Sequence, residues 1–292
     1  MEEFKENCEY PTLAGLPVDI CIFTVITDRL PQPADVVDKR SLKSYPAKWL
    51  EMVLVQRQGS PFQGKWALPG GFTDIEHESL DKAAIRELKE ETNLKASVAG
   101  GDSANLDIHL EQLKAYYHPD RDPRGYIPTV AYVALVHERL LTDLQAGGDA
   151  MKASLFRVQA DSHEGLRLIS QDEATILTDD DLAFDHANII RDALRFLENK
   201  MMTTTVAATL LPPEFTIAEL HQVIRAVVPS FRVSTTNFAR DLVKTKSRDG
   251  MLEEVRHIDG TPKKSNRYSA RPAQLYKFNA AFEAHVSLYP RF

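Results

Sequence analysis

The sequence predicts an α+β fold in two parts: a body with a mixed sheet over residues 1–202, and a smaller module of helices and a β-hairpin over 203–292. Three observations predict it. Apolar β-branched runs and amphipathic helical stretches alternate irregularly through the body. TTTVAATLLPPEF, with Pro212–Pro213, then breaks the pattern. Beyond the break the charge reverses: residues 203–279 carry 12 basic and 7 acidic side chains in a chain whose net charge is −7. A basic module on an acidic body points to a polyanion partner for that module, with chance imbalance as the plain alternative.

The elements follow in order. VDICIFTVIT (18–27) reads as a buried strand and WLEMVLVQR (49–57) as a second, separated by a polar, Pro-containing loop or hairpin tip at 30–46. GSPFQGKWALPGG (59–71) is turn-rich, with a short strand at KWALP. ESLDKAAIRELKEETN (78–93) has no Gly or Pro and reads as the clearest helix. LDIHLEQLKAYYH (106–118) and YIPTVAYVALVH (126–137) read as strands around the turn PDRDPRGY, and FRVQADSHEGLRLIS (156–170) as a hairpin. FDHANIIRDALRFLENKM (184–201) is an amphipathic helix. IAELHQVIRAVV (217–228) and STTNFARDLVKTK (234–246) are helical, MLEEVRHI (251–258) and QLYKF (274–278) strand-like, with a polar loop at 259–273.

Composition narrows the class. With 292 residues, 43% hydrophobic and 26% charged, the chain can bury a sizeable core. No apolar run approaches the ~18 residues of a membrane span, and MEEFKENCEY lacks the basic-then-apolar pattern of a secretory signal. Two cysteines, Cys8 and Cys21, support neither a disulfide framework nor a Cys zinc site, and the expected compartment is the cytoplasm. No membrane partner is expected.

The acidic helix carries the first chemistry. Glu87, Glu90 and Glu91 share one helical face at i, i+3 and i+4. Unrelieved, they repel; a hard divalent cation offsets that repulsion and prefers oxygen ligands. Arg86 is placed to pair with Glu78 two turns back or with Glu90 one turn on. Taken alone, RELKEE is more often a solvated acidic face. Here it follows WALPGG, where Gly70 and Gly71 let backbone approach a phosphate. Arg121 and Arg124 in the charged turn, and Arg57 at a strand end near the glycines, are candidate phosphate ligands; a surface turn is the bland reading. His186 reads as a packed, hydrogen-bonded histidine, and Trp66 as core or an adenine-stacking ring.

The basic module carries the second. Helix, helix, strand, polar loop, strand is the order of a winged helix-turn-helix. Ser234 is the expected N-cap, with Phe238 and Leu242 facing the core. Asn237, Arg240 and Lys244 fall on another side, with chemistry suited to base edges and phosphates. Lys263, Lys264, Arg267 and Arg271 put positive charge on the hairpin loop. A packing or dimerisation module with a solvated face is the alternative.

Residues 71–94 resemble a Nudix box: Gly, five residues, Glu, seven residues, then Arg-Glu-aliphatic-x-Glu-Glu-x-Gly-aliphatic. Glu78, seven residues and Arg86–Glu91 match in spacing. Two departures stand out: six residues separate Gly71 from Glu78, and Asn93 replaces a Gly. The resemblance implies a Nudix α/β/α sandwich. It implies that Glu87, Glu90 and Glu91 hold Mg2+ or Mn2+, and that Glu78 and Arg86 stabilise the loop and helix. The reaction would be hydrolysis of a nucleoside diphosphate linked to another moiety. WALPGGFTD, DPRGYIPTVAYVALV, LAFDHANIIRDAL and SARPAQLYKF together resemble the Nudix-related transcriptional regulators, a Nudix domain fused to a winged helix. That likeness implies a homodimer on double-stranded palindromic operator DNA. It implies repression of NAD biosynthesis and salvage genes in response to ADP-ribose; a sister group senses sugars. Many such regulators have lost the glutamates that this chain keeps. A metal-dependent ADP-ribose pyrophosphatase whose C-terminal part serves only association is the second reading. Residues 30–46 and 160–181 look additional to the pattern.

Overall fold

The computed structural model describes residues 15–27, 46–74, 77–92, 108–141, 144, 150–161, 165–244, 251–267 and 271–279. A mixed sheet organises the body. It contains β1 (Pro17–Thr27), β2 (Lys48–Arg57), β3 (Trp66–Ala67), β4 (Gly70–Phe72), β5 (Ile108–Tyr116), β6 (Thr129–Val136), β7 (Ala150–Asp161), β8 (Gly165–Ser170) and β9 (Ile176–Leu177). The order is β5-β6-β1-β2-β7-β8-β9, with β3 on β2 and β4 on β1. Only β1 and β6 pair in parallel among these described strands. β1 and β6 are nearly all apolar because both faces of the sheet are covered.

The period-2 alternation of strand side chains sorts the two faces. On one, Val18, Ile20, Ile22, Val130, Tyr132 and Ala134 pack against Ala83, Ala84 and Leu88 of α1 (Leu80–Thr92). On the other, Cys21, Phe23, Leu50, Met52, Val133 and Leu135 meet α2 (His186–Thr203) through Ile189, Ile190, Ala193 and Leu197. This is the expected α/β/α sandwich. α1 starts later than its sequence pattern, because Ser79 caps it: the Ser79 carbonyl accepts from Ala83 N–H at 2.9 Å. Asn93 and residues 30–45 lie outside the described residues.

After α2 a 3-10 turn, Val206–Leu210, leads into α3 (Ile217–Val227) and α4 (Thr235–Lys244). Thr216 and Glu219 form a capping box that starts α3. Ser234 caps α4, its Oγ accepting from Asn237 N–H at 3.3 Å. A hairpin follows: β10 (Leu252–Glu254) pairs with β13 (Tyr276–Phe278), and β11 (Lys264–Ser265) with β12 (Ala273–Gln274). The polar loop expected at 259–273 therefore contains β11 and the first residue of β12; ladders of two residues leave no hydrophobic period to read. Helix, helix and wing give the expected winged helix-turn-helix order.

The hydrophobic core does not stop at α2. Leu210, Leu211, Phe215, Leu220, Val223, Ile224, Phe238 and Leu242 belong to the same buried cluster as Phe23 and Met52. α3 lies against β2, and Gln222 Nε2 donates to the Pro46 carbonyl at 3.4 Å. Phe215 exchanges backbone hydrogen bonds with Tyr276 at 2.9 and 2.7 Å, closing the wing onto this core. The described residues of 160–181 are built into the sheet and its edge. They complete β7 and supply β8 and β9, whose Leu166, Leu168 and Leu177 join the core. No helix among the described residues is long and apolar enough to cross a membrane.

Truncating Phe215, 1% exposed, to Ala should cost about 3–5 kcal/mol. Urea unfolding followed by far-UV circular dichroism and by tryptophan fluorescence should show one coincident transition at lower midpoint, because the core is continuous. Two separated transitions in the wild type would contradict that continuity.

Candidate functional site

The site begins with the loop into α1. Glu78 stays outside the helix, and its carboxylate accepts from Arg86 Nη2 at 2.8 Å, Arg86 Nε at 3.2 Å and Asp74 N–H at 2.9 Å. Arg86 also donates to the Phe72 carbonyl at 3.2 Å and to Glu87 Oε1 at 2.6 Å, and stands 3.5 Å from Glu90. Both pairings foreseen for Arg86 are therefore made at once. The Arg86 hydrogen bond holds Glu78 below the usual carboxylate range. With six residues between Gly71 and Glu78, Glu78 still meets Arg86. The Asp74 carbonyl takes both His77 N–H (3.1 Å) and Glu78 N–H (2.9 Å) and folds the loop back.

Glu87 is buried at 7% exposure, and burial pushes its carboxyl up despite Arg86. Its carboxylate explains Gly71: a Cβ there would lie 2.3 Å from Glu87 Oε1. At Gly70 a Cβ would lie 2.1 Å from the Val18 carbonyl oxygen of β1. Close approach of backbone thus requires Gly70, while a side chain at Gly71 would displace the end of Glu87, whatever the two glycines also offer a ligand. Glu90 is exposed, and the Glu91 side chain lies outside the described residues. Among described residues no three His, Cys, Asp or Glu side chains converge as a metal cage. The donors that are described fit a hard cation: Glu87 lies in the space left by the missing Gly71 Cβ, and Glu90 is one turn on along the same helix face.

Next to this clamp opens a cleft of about 180 Å³. The five residues singled out for a nucleotide, Arg57, Gly70, Gly71, Arg121 and Arg124, all line it. Arg124 clasps Asp122 (Nη2–Oδ2 2.7 Å, Nε–Oδ1 3.0 Å), and its guanidinium lies 5.7 Å from the rings of both Phe72 and Phe184. Burial opposes ionisation of Asp122, but Arg124 outweighs it and holds the carboxyl low. Arg57 donates from Nε to the Pro61 carbonyl at 2.8 Å and lies 4.9 Å over the Phe184 ring. Cations and aromatic faces therefore share one wall.

Arg121 differs from its expected role. Its side chain is 3% exposed, and its donors go to Asp185 (2.9 Å), to the Ile127 carbonyl (3.0 Å) and toward Asp19 (3.5 Å). It holds the floor together rather than offering itself to a phosphate. His186 is packed and hydrogen-bonded, as read: Leu68 N–H donates to its Nδ1 at 2.9 Å, so Nε2 carries the proton, 3.5 Å from Asp19 Oδ1. Burial works against ionised Asp19, yet His186 and Arg121 hold its carboxyl below the usual range. Trp66 is core, edge-on to Phe156 at 4.8 Å. The sequence reading missed Asp19, Phe72, Phe184 and Asp185. One signal was present, an acid inside the apolar strand VDICIF that burial obliges to find a cation.

In the C-terminal part, Asn237 and Arg240 are exposed on α4 while Phe238 and Leu242 are buried. Lys244 ends α4, its side chain outside the described residues. On the wing, Lys264 and Arg271 are exposed. Lys263 pairs with Glu214 at 2.6 Å, and Arg267 stands 3.7 Å from Glu219.

The NUDIX domain family matches residues 47–193. The chain belongs to the NUDIX family. The ADPR responsive transcriptional repressor NtrR of Acinetobacter baylyi is 31% identical over 262 residues, 89% of this chain and 87% of its own. An ADP-ribose pyrophosphatase of Methanocaldococcus jannaschii is 32% identical over 174 residues, 55% of this chain and 83% of its own. The crystal structure of a MutT/nudix family protein from Enterococcus faecalis matches with a TM-score of 0.63 at 26% identity, covering 95% of this chain and 91% of that one. The likeness to the repressor and to the Enterococcus faecalis protein thus covers more of the chain than the residues the NUDIX family matches.

Arg121→Met would leave Asp19 and Asp185 without their cation and should cost about 3–5 kcal/mol. The folded Asp19 titrates below 3.8, so its ionised form stabilises the fold above that pH and the contribution is lost as pH falls through the folded value. The stability gap between wild type and Arg121→Met, measured by urea titration, should therefore narrow as pH falls below 3.8. A gap that does not change with pH would show that the network contributes no charge pairing.

Proposed function

We propose that the chain is a transcriptional regulator, a repressor of NAD biosynthesis and salvage genes, whose NUDIX cleft senses ADP-ribose and whose C-terminal winged helix binds operator DNA. One observation carries the reading: a cleft of cations and aromatic faces shares a continuous core with a module whose α4 shows solvent Asn237 and Arg240. The likeness to an ADPR responsive repressor along nearly the whole chain supports it. Residues 1–202 would form the sensor and 203–292 the DNA-binding domain, with two copies of the chain on a palindromic site.

In this reading Arg57 and Arg124 face the diphosphate, and the rings of Phe72 and Phe184 offer apolar faces to a base or sugar. Arg121, Asp19, Asp185 and His186 keep that wall in place. Glu87, Glu90 and Glu91 would hold Mg2+ or Mn2+. Such a cation, when bound, neutralises charge on phosphate oxygens. On α4, Asn237, Arg240 and Lys244 meet base edges and phosphates, and Lys263, Lys264, Arg267 and Arg271 meet the backbone from the wing. ADP-ribose shifts the DNA equilibrium by its differential affinity for the two conformations.

A second reading, ADP-ribose hydrolysis, is favoured by the completed clamp of Glu78, Arg86 and Glu87. Phosphorus NMR of ADP-ribose with the protein and Mg2+ decides it: AMP and ribose 5-phosphate from wild type but not from Glu87→Gln or Glu91→Gln would show turnover. Mg2+ should also raise the melting temperature of the wild type, and Glu87→Gln should abolish that increment.

The two sites should separate by mutation. Arg240→Ala should weaken operator binding by about 1–3 kcal/mol and leave ADP-ribose affinity unchanged. Arg124→Ala should do the reverse, weakening ADP-ribose in calorimetry while DNA binding without effector persists. Salt should weaken DNA binding steeply. Failure of the wild-type chain to retain any duplex DNA at low salt would overturn the regulator reading.

A further inference from the structure

We propose that His221 is a positioning residue for the DNA-reading helix: it fixes the angle at which α4 leaves the turn after α3, and so governs sequence discrimination. The assignment rests on the DNA-binding reading above. His221 lies on α3 and is 4% exposed. Its Nε2 stands 2.7 Å from the Val233 carbonyl oxygen, which can only accept, so Nε2 carries the proton. Nδ1 of the neutral ring is then an acceptor, and the Thr235 hydroxyl, 3.2 Å away, donates to it. Val233 precedes the N-cap Ser234, and Thr235 opens α4. One imidazole thus grips the chain on both sides of the cap.

The ring is also wedged. Its centroid lies 5.7 Å from Phe231 of the turn and 5.4 Å from Phe238 of α4, and those two rings meet edge-on at 5.6 Å. Burial holds the imidazole below its usual proton affinity, and Arg225 acts in the same direction, which preserves the neutral tautomer. An apolar residue would fill this space as well; only a side chain with a donor and an acceptor on opposite edges ties the turn to the helix start. The leverage is large for a small error. The ten residues of α4 span about 15 Å, so a tilt of about 10° at Thr235 moves its far end by roughly 2–3 Å. Hydrogen bonds to base edges tolerate about 0.5 Å.

The test uses the full-length protein, with a duplex that the wild type enriches from a randomised pool and a scrambled duplex of the same composition. Affinities are read by fluorescence anisotropy for wild type, His221→Leu, Thr235→Val, the double variant and Thr235→Ser, each checked for a cooperative melt. Thr235→Val, which removes one hydrogen bond of His221, should weaken the enriched duplex about tenfold, and His221→Leu, which removes that bond and the one to Val233, at least as much. The scrambled duplex and ADP-ribose affinities should stay within about twofold. The double variant should be no worse than the weaker single, and Thr235→Ser, which keeps the hydroxyl, should match wild type. Unchanged discrimination in the folded variants, or equal loss on both duplexes, would overturn the assignment. If the wild type enriches no duplex at all, the regulator reading itself fails and takes this assignment with it.

Discussion

Arg121 cannot be buried alone, and much of the cleft follows from that constraint. A guanidinium at 3% exposure loses its water and needs carboxylates and carbonyls in return. Three separate segments supply them: Asp19 from β1, Ile127 from the loop before β6, and Asp185 from the residue before α2. Each is thereby held at a fixed distance from the others. Phe184 sits next to Asp185 with φ 51°, a left-handed conformation that costs a non-glycine residue about 1–2 kcal/mol. Its neighbours impose it. Ala183 N–H is bonded to the Trp66 carbonyl at 2.7 Å, Asp185 is bound to Arg121, and His186 takes the Leu68 N–H. The result is an aromatic ring held between Arg57 and Arg124.

α2 is common to the cleft and the winged module. Its first turn belongs to the Arg121 network, and its eighteen residues extend about 27 Å away from it. Leu197 and Met201, near its far end, are in the cluster that also contains Ala207, Phe215 and Val223. A shift of the Asp185–His186 end is resisted by two half-buried aspartates and a buried arginine. A shift of the far end is resisted by close packing. α2 is therefore held at both ends, one in the network of the cleft and the other in the core it shares with the winged module.

The sequence was most readable where chemistry is local. Glu78 and Arg86 are eight residues apart, so charge and spacing announced that pair, while Arg124 was read only as a phosphate ligand although Asp122, which it clasps, is two residues away. Helices with a clean apolar face, α2 and α3, came within two residues of their limits. Ser234, Phe238 and Leu242 kept their read roles because capping and i, i+4 packing are decided inside one helix. Contacts across the chain were not readable. Arg121 finds Asp185 sixty-four residues on, which is why a buried structural arginine looked like a surface phosphate ligand. The hairpin of β7 and β8 was readable at 156–170, but β9, two residues long, carries no period and is revealed only by its pairing with β8. Phe184 could not be found at all: nothing in FDH encodes a left-handed backbone.

The clamp at α1 shows how one chain can look like both sensor and hydrolase. Among the described side chains, a single guanidinium, Arg86, faces three carboxylates: Glu78 at 2.8 Å, Glu87 at 2.6 Å and Glu90 at 3.5 Å. One positive charge does not neutralise three negative ones, and Glu87 is the least solvated of them. Burial already disfavours its charged form. The local field therefore attracts a further cation, and more strongly than three exposed acids would, because solvent screens Glu87 less. Arg86 cannot itself serve a substrate without releasing Glu78 and loosening the turn at Asp74. Its place in the pattern is to hold the loop while leaving carboxylate charge uncompensated. Such charge favours a cation whether or not water then attacks a ligand, so retention of the glutamates is compatible with sensing alone. Turnover requires in addition a base aligned with the attacking water, a demand that the charge balance of the clamp does not by itself satisfy.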